Sequence, residues 1–202
     1  LTAENNQNIL SVFLSQSSVC AGFAHAAQDM LQDLGVECVY LTGTANSEPH
    51  AWNMVRIDGQ YYYMDATWGN PSYINSSGSG EPDYRDYSYL NITWEEISRD
   101  HDYEDFFQIP ETTATDANYF VMEGGYYTDD DFAAVGQAVE EASRAGENLQ
   151  IKFATPELYA QALDELIVRQ GLYQYCPGLG QYSYSFRESA NTLYFFFDTD
   201  VL

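Results

Sequence analysis

The chain has 202 residues, enough for one medium domain or two small ones, and its 45% apolar content supports an ordinary buried core. A formal net charge of −24 argues against nucleic acid and anionic membrane surfaces as partners, because both are held by Lys and Arg. No apolar run approaches the about 18 residues a membrane span needs, so no membrane insertion is expected in this chain; Leu1 in place of an initiator Met points to a trimmed or mature piece whose upstream targeting cannot be read.

Residues 3–14 carry a helical pattern that leads into a second helix. Ser17 and Ser18 are good N-cap residues, and Phe23, Ala27, Met30, Leu31 and Leu34 recur with helical period after Cys20. Gly35 then fits the left-handed position that ends helices. Cys20 therefore opens a helix. A thiol in the first turn lies at the positive end of the helix dipole, which favours thiolate, and the backbone N–H groups there are free to bind an oxyanion.

Residues 36–41 read as a strand holding Cys38 in the core, and residues 44–49 as a loop that delivers His50. Residues 51–57 and 61–68 are rich in Val, Ile, Tyr and Trp and flank Asp58-Gly59, the signature of a hairpin with a two-residue type I′ turn. Ile57 then pairs with Gln60. Counting outward, Trp52 faces Asp65, His50 faces Thr67, and all four share one face of the sheet. His50 and Asp65 become diagonal neighbours, roughly 7–8 Å apart at the backbone. A register slip of one residue would put them on opposite faces.

After Pro71, residues 72–82 contain Ser76-Ser77-Gly78-Ser79-Gly80 and read as a flexible surface loop. Acidic residues dominate from 81 to 131 without the spacing of an EF-hand loop, so solvated charge is expected and no metal site or cofactor is. His25 and His101 show no convergent partners and read as structural. The three cysteines match neither a zinc site nor a disulfide framework, and a Cys38–Cys176 bridge is left open as the lesser alternative.

Pro110, Thr112, Thr113 and Thr115 mark a boundary, giving a unit at 1–114 that holds Cys20, His50 and Asp65 and an accessory unit at 115–202. In the latter, Thr128 and the three aspartates after it start a helix at 132–145 that Gly146 ends, followed by a strand at 149–154. Thr155 and Pro156 supply a cap and a first-turn proline for a helix at 157–170, and 182–186 with 192–197 form a hairpin. This order describes a small α/β unit with helices on one face of a sheet and no motif of chemistry. It reads as a packing or spacer module, or as one wall of a substrate cleft.

Cys20, His50 and Asp65 supply, in that order, the nucleophile, general base and orienting anion of covalent acyl transfer. Around them stand Val19-Cys20-Ala21-Gly22-Phe23-Ala24, Gly35-Val36-Glu37-Cys38, Thr42-Gly43, His50-Ala51-Trp52-Asn53, Ile57-Asp58-Gly59 and Tyr63-Met64-Asp65-Ala66-Thr67-Trp68. In order and spacing, this stretch from about residue 11 to 71 resembles the transglutaminase-like superfamily, papain-related enzymes with a Cys-His-Asp triad. A further stretch from Tyr87 to His101 resembles the segment C-terminal to the triad in secreted proteins of anaerobic, gut-type Gram-positive bacteria.

The resemblance implies an α+β fold with a transglutaminase-like or papain-like core. In it, a helix carrying Cys20 packs on an antiparallel sheet carrying His50 and Asp65, and the small α/β unit comes after it. It makes Cys20 the nucleophile, His50 the base and Asp65 the residue that orients His50. Trp52 stands where the family keeps an aromatic beside the histidine. Gln16 lies four residues before Cys20, closer than the glutamine of papain-like enzymes, and with Trp52 is the candidate for oxyanion or substrate binding. The backbone N–H of Cys20 is the other oxyanion candidate. An extracellular or cell-surface location in a Gram-positive-type bacterium is implied as well.

The expected activity is acyl transfer on an amide of a protein or peptide, with hydrolysis favoured and transglutaminase cross-linking left open. An arylamine acetyltransferase-like use of the triad is a further possibility, without a coenzyme-binding signal. The rival from another class is a non-catalytic surface or adhesion module that keeps the fold, for which the 18 tyrosines offer aromatic contacts. The acidic balance favours a cationic or neutral substrate. No oligomeric state can be read from the sequence.

Overall fold

The computed structural model describes residues 6–15, 17–70, 85–103 and 109–197; Gln16 and the Gly/Ser-rich stretch at 72–82 lie outside the described residues. Two compact units divide between Tyr119 and Phe120.

The first unit begins with helices α1 (Ile9–Ser15) and α2 (Cys20–Asp33). The expected serine cap of α2 is not made. Val19 is the N-cap and makes no side-chain cap hydrogen bond, whereas the Ser18 hydroxyl donates to the Asn6 carbonyl at 2.8 Å and accepts from Ser11 at 2.7 Å. Ser18 is thereby drawn away from α2 to tie the preceding chain down. At the other end Gly35 takes a φ of 81°, and the Val36 N–H reaches back to the Leu31 carbonyl, as a left-handed helix end requires.

Strands β1 (Glu37–Ala45), β2 (Glu48–Ile57) and β3 (Gln60–Met64) come next as two tight hairpins. The segment expected to be a loop at 44–49 is a two-residue turn at Asn46-Ser47, both with positive φ (49° and 66°), so β2 begins before His50. Serine seldom takes that conformation, which hid the turn. Asp58-Gly59, at φ 49° and 83°, makes the second turn. Ile57 faces Gln60 and Asn53 faces Met64, the expected register.

Helix α3 (Trp94–Ile97) is one turn long and held by a reciprocal capping box between Thr93 and Glu96. It leads to β4 (His101–Tyr103), a short strand not expected from the sequence, which pairs antiparallel with β1 and completes the sheet order β3-β2-β1-β4. Gly43 makes this pairing close: a Cβ there would stand 1.9 Å from the Asp102 carbonyl oxygen.

The two faces of the sheet serve different purposes. Cys38, Val55 and Tyr62 pack with Leu31 of α2 on one face, where the Asn53 amide donates to the Ala24 carbonyl at 3.0 Å and Gln32 donates to the Cys38 carbonyl at 2.9 Å. Alternation puts His50, Trp52, Met54, Tyr63 and His101 on the other face. The core is α+β, a cysteine-bearing helix on an antiparallel sheet, as the sequence led us to expect.

The division between the units falls within a helical turn, α4 (Tyr119–Met122). The second unit carries β5 (Tyr126–Tyr127), α5 (Phe132–Ala145), β6 (Leu149–Phe153), α6 (Pro156–Ala162), α7 (Leu172–Tyr175) and the hairpin β7 (Tyr182–Arg187) and β8 (Thr192–Phe197). Its sheet is mixed, in the order β5-β6-β8-β7, with only β5 and β6 parallel. Asp131 caps α5 by accepting from the Ala134 N–H, and Gly146 ends it. The helix expected at 157–170 is α-helical only to Ala162 and then widens to a π-helix, where the Arg169 N–H reaches the Asp164 carbonyl. Ile151, Phe153, Leu193 and Phe195 have no exposure, and each contributes roughly 1.5–3 kcal/mol of burial. Cys20, Cys38 and Cys176 are free thiols. Among the described residues, no single helix is long and apolar enough to cross a membrane.

Candidate active site

Cys20 is the first residue of α2, where the first intrahelical bond joins the Phe23 N–H to the Val19 carbonyl. The N–H groups of Cys20, Ala21 and Gly22 thus have no acceptor within the helix. The N-cap Val19 makes no side-chain cap hydrogen bond, and the Ala21 N–H is directed at the Cys20 sulfur, so this helix start favours an anion. The thiol lies against His50, whose hydrogen bond is the main reason its pKa falls below the ordinary thiol value. Burial opposes that effect, while the charge of His50 and the backbone N–H groups of Ala51 and Ala21 add to it. Cys38, by contrast, is pushed up to about 11 by burial.

His50 projects from β2 and bridges two partners. Its Nε2 lies 2.7 Å from Oδ2 of Asp65, which leaves Nδ1 as the ring nitrogen for Cys20. Burial by itself would lower His50; hydrogen bonds and charge from Asp65 and Cys20 outweigh it and raise the group to about 9. The lowered thiol and the raised imidazole together favour passage of the proton from Cys20 to His50.

Asp65 comes directly after the last residue of β3 and is 2% exposed. Its Oδ1 accepts from the backbone N–H groups of Thr67 at 2.8 Å and Trp68 at 3.2 Å, so a local turn fixes the carboxylate. Burial penalises its charge, yet hydrogen bonds from His101 and His50 prevail and hold it down at about 2. Trp52 is 2% exposed, and its ring lies nearly parallel to the imidazole of His50 at 6.2 Å. That placement suits Trp52 to holding the histidine and leaves its ring closed to a substrate. Gln16 lies outside the described residues. The Tyr40 hydroxyl is raised by burial and then by the charge of Cys20, which puts it near the sulfur.

His101 joins this cluster although its sequence context gave no sign of it. Its Nε2 is 3.3 Å from the same Asp65 oxygen and its Nδ1 is 2.6 Å from Asp100. Asp100 in turn accepts from the Tyr89 hydroxyl. The Asp100-His101 dipeptide sits in an acidic segment, far along the chain from Asp65, and no spacing rule links them. His25 stays apart, stacked on Tyr40 at 4.0 Å.

His50, Asp65 and His101 place donor atoms within 4.8 Å of one another, a separation that a divalent ion could bridge. The hydrogen bonds among these atoms account for the arrangement without one. Chemically, the array is an activated sulfur with a proton carrier beside it and an anion to stabilise that carrier's charge.

Comparisons with known proteins bear on the first unit. Residues 2–66 match the family model described as Transglutaminase-like superfamily. A 71-residue stretch is 32% identical to mouse (Mus musculus) Kyphoscoliosis peptidase; it spans 29% of this chain and only 11% of that protein. A solved structure described as a TGase aligns over 39% of this chain and 20% of its own at 22% identity, with a TM-score of 0.30.

Proposed function

We propose that the chain is a cysteine enzyme of acyl transfer that hydrolyses amide bonds in protein or peptide substrates. The observation that carries this reading is the continuous array from the lowered Cys20 thiol through His50 to Asp65, with a 2.7 Å hydrogen bond at its second link. Transglutaminase-like proteins act on protein substrates through a thiol, and the match over residues 2–66 includes all three groups.

The chemistry proceeds from the positions. His50 Nδ1 takes the thiol proton, and the thiolate attacks the amide carbonyl carbon, forming a C–S bond as the carbonyl π pair moves onto oxygen. The uncapped N–H groups at the start of α2 stabilise that oxyanion. Collapse re-forms the carbonyl and breaks the C–N bond while His50 protonates the leaving amine. Water, deprotonated by the same imidazole, then cleaves the thioester and restores the thiol. Asp65 keeps the ring proton on Nε2 throughout and balances the imidazolium. An amine in place of water would give cross-linking, so the acceptor is decided by what reaches the thioester. We place the enzyme outside the cell or on the surface of a Gram-positive-type bacterium, in line with the likeness of residues 87–101 to secreted proteins.

The test is alkylation by iodoacetamide across pH, read at each cysteine by mass spectrometry, with Cys38 and Cys176 as internal controls. Cys20 is expected to react fastest at neutral pH, and a casein or peptide-library digest should lose activity in Cys20→Ser. Incorporation of a labelled amine into the same substrates would convert the reading to cross-linking. A Cys20 no faster than Cys38 would remove the enzyme reading and leave a binding module.

A further inference from the structure

His101 takes no part in the acyl-transfer steps, yet its surroundings determine its charge. Its side chain is 1% exposed, and each ring nitrogen faces a carboxylate, Asp100 at 2.6 Å and Asp65 at 3.3 Å. A carboxylate only accepts. A neutral imidazole would therefore turn one lone pair toward an anion, whereas an imidazolium donates to both. Aromatic rings surround it as well: Trp68 at 4.6 Å, Trp52 at 5.0 Å and near perpendicular to it, and Tyr89 at 5.6 Å. Asp100 accepts from the Tyr89 hydroxyl, a hydrogen bond that favours its ionised form.

We propose that His101 is a positioning residue, a buried imidazolium locked between Asp65 and Asp100 that shares Asp65 with His50 and so limits how tightly His50 holds its proton. The groups facing it are His50 and Trp52 from β2, Asp65 and Trp68 from the turn after β3, and Tyr89 and Asp100 from the chain leading into β4. Asp65 has one oxygen held by two backbone N–H groups, so it keeps its place whether or not His101 is charged. What changes without that charge is the potential at His50, whose ring centre is 5.4 Å away. A base facing an unshared Asp65 would retain its proton more strongly and release it less readily to a leaving amine. The charge state of His101 stands independently of catalysis; its effect on turnover rests on the acyl-transfer reading.

The experiment is a pH titration of the full chain with ring-15N-labelled histidines, monitored by NMR, alongside the pH profile of Cys20 alkylation. His101 is expected to show both ring nitrogens protonated from about pH 5 to pH 8. His101→Gln removes the cation directly, and Asp100→Asn removes the anion that keeps it protonated. Each should raise the midpoint of His50 by roughly one to two pH units, a ten- to hundredfold gain in proton affinity, as expected for like charges at this distance. Should His101→Gln fail to fold, Asp100→Asn and the NMR signature in the parent chain decide the matter. A single protonated nitrogen on His101 at neutral pH, or a His50 midpoint that stays or falls in a folded variant, overturns the proposal. A charged His101 beside an unreactive Cys20 would sink the acyl-transfer reading and leave this one standing.

Discussion

Asp65→Asn removes one buried negative charge with almost no change in volume, and its effect can be worked out from the hydrogen bonds. His50 stands at about 9 against an ordinary 6.5, although burial alone would lower it. The elevation of about 2.5 pH units, on the order of 3 kcal/mol, therefore comes from Asp65 and Cys20 together. In the variant, the backbone N–H groups of Thr67 and Trp68 keep the acceptor oxygen of Asn at the Oδ1 position. The amide NH2 then faces His50 Nε2. A donor there turns Nε2 into an acceptor and moves the ring proton to Nδ1, against the sulfur. The imidazole can no longer take the proton of the thiol, and turnover should fall by up to ~10⁴-fold, the size seen when a triad histidine is forced into the wrong tautomer. Stopped-flow or mass-spectrometric alkylation gives the clearest readout. The pH midpoint for Cys20 should climb to the ordinary thiol range of about 8.5, with circular dichroism unchanged. A folded Asp65→Asn protein that alkylates at pH 7 with the parental rate and midpoint would refute the reasoning.

Stability should track the same charges. Asp65 is lowered to about 2, so its contribution is full above its ordinary value of 3.8 and is lost as pH falls through 2. His50 is raised, so its contribution is full below 6.5 and is lost as pH rises through about 9. Urea midpoints should therefore peak between about pH 4 and pH 6.5, and a maximum above pH 8 would contradict the ionic network. Ser18→Ala removes two hydrogen bonds that tie the segment before α2, at a cost of roughly 1–2 kcal/mol by denaturant titration; an unchanged midpoint would mean that water replaces them. A chain ending after Tyr119 is expected to unfold cooperatively and to keep the fast Cys20, since every member of the array lies in the first unit; a folded fragment with a slow Cys20 would show that the second unit completes the site.

The sequence carried the part of the site that local rules control. Asp58-Gly59 permits one turn geometry, that turn sets the register, and the register puts His50 and Asp65 on one face before any contact is known. The start of α2 was legible from its apolar period, but its cap was not. Ser18 satisfies the local rule for an N-cap and is recruited instead by Asn6 and Ser11, a tertiary choice. His101 was the largest omission. Three residues of strand inside an acidic stretch have no period to read, and β4 exists because β1 offers it an edge. The π-helical widening after Ala162 likewise has no compositional mark.

Gly43 lies opposite His50 on one side of β1 and opposite Tyr103 on the other. A methyl group there would collide with Asp102, the neighbour of His101, at 1.9 Å, so Gly43→Ala must push β4 outward. The cluster of Cys38, Val55 and Tyr62 and the core of the second unit do not include it, and the variant should still express and fold. A mutational scan scored on abundance would pass it as silent. Scored on the pH profile of activity, the same scan would show the alkaline limb displaced, a change in proton affinity caused by a residue that has no side chain and touches no reacting atom.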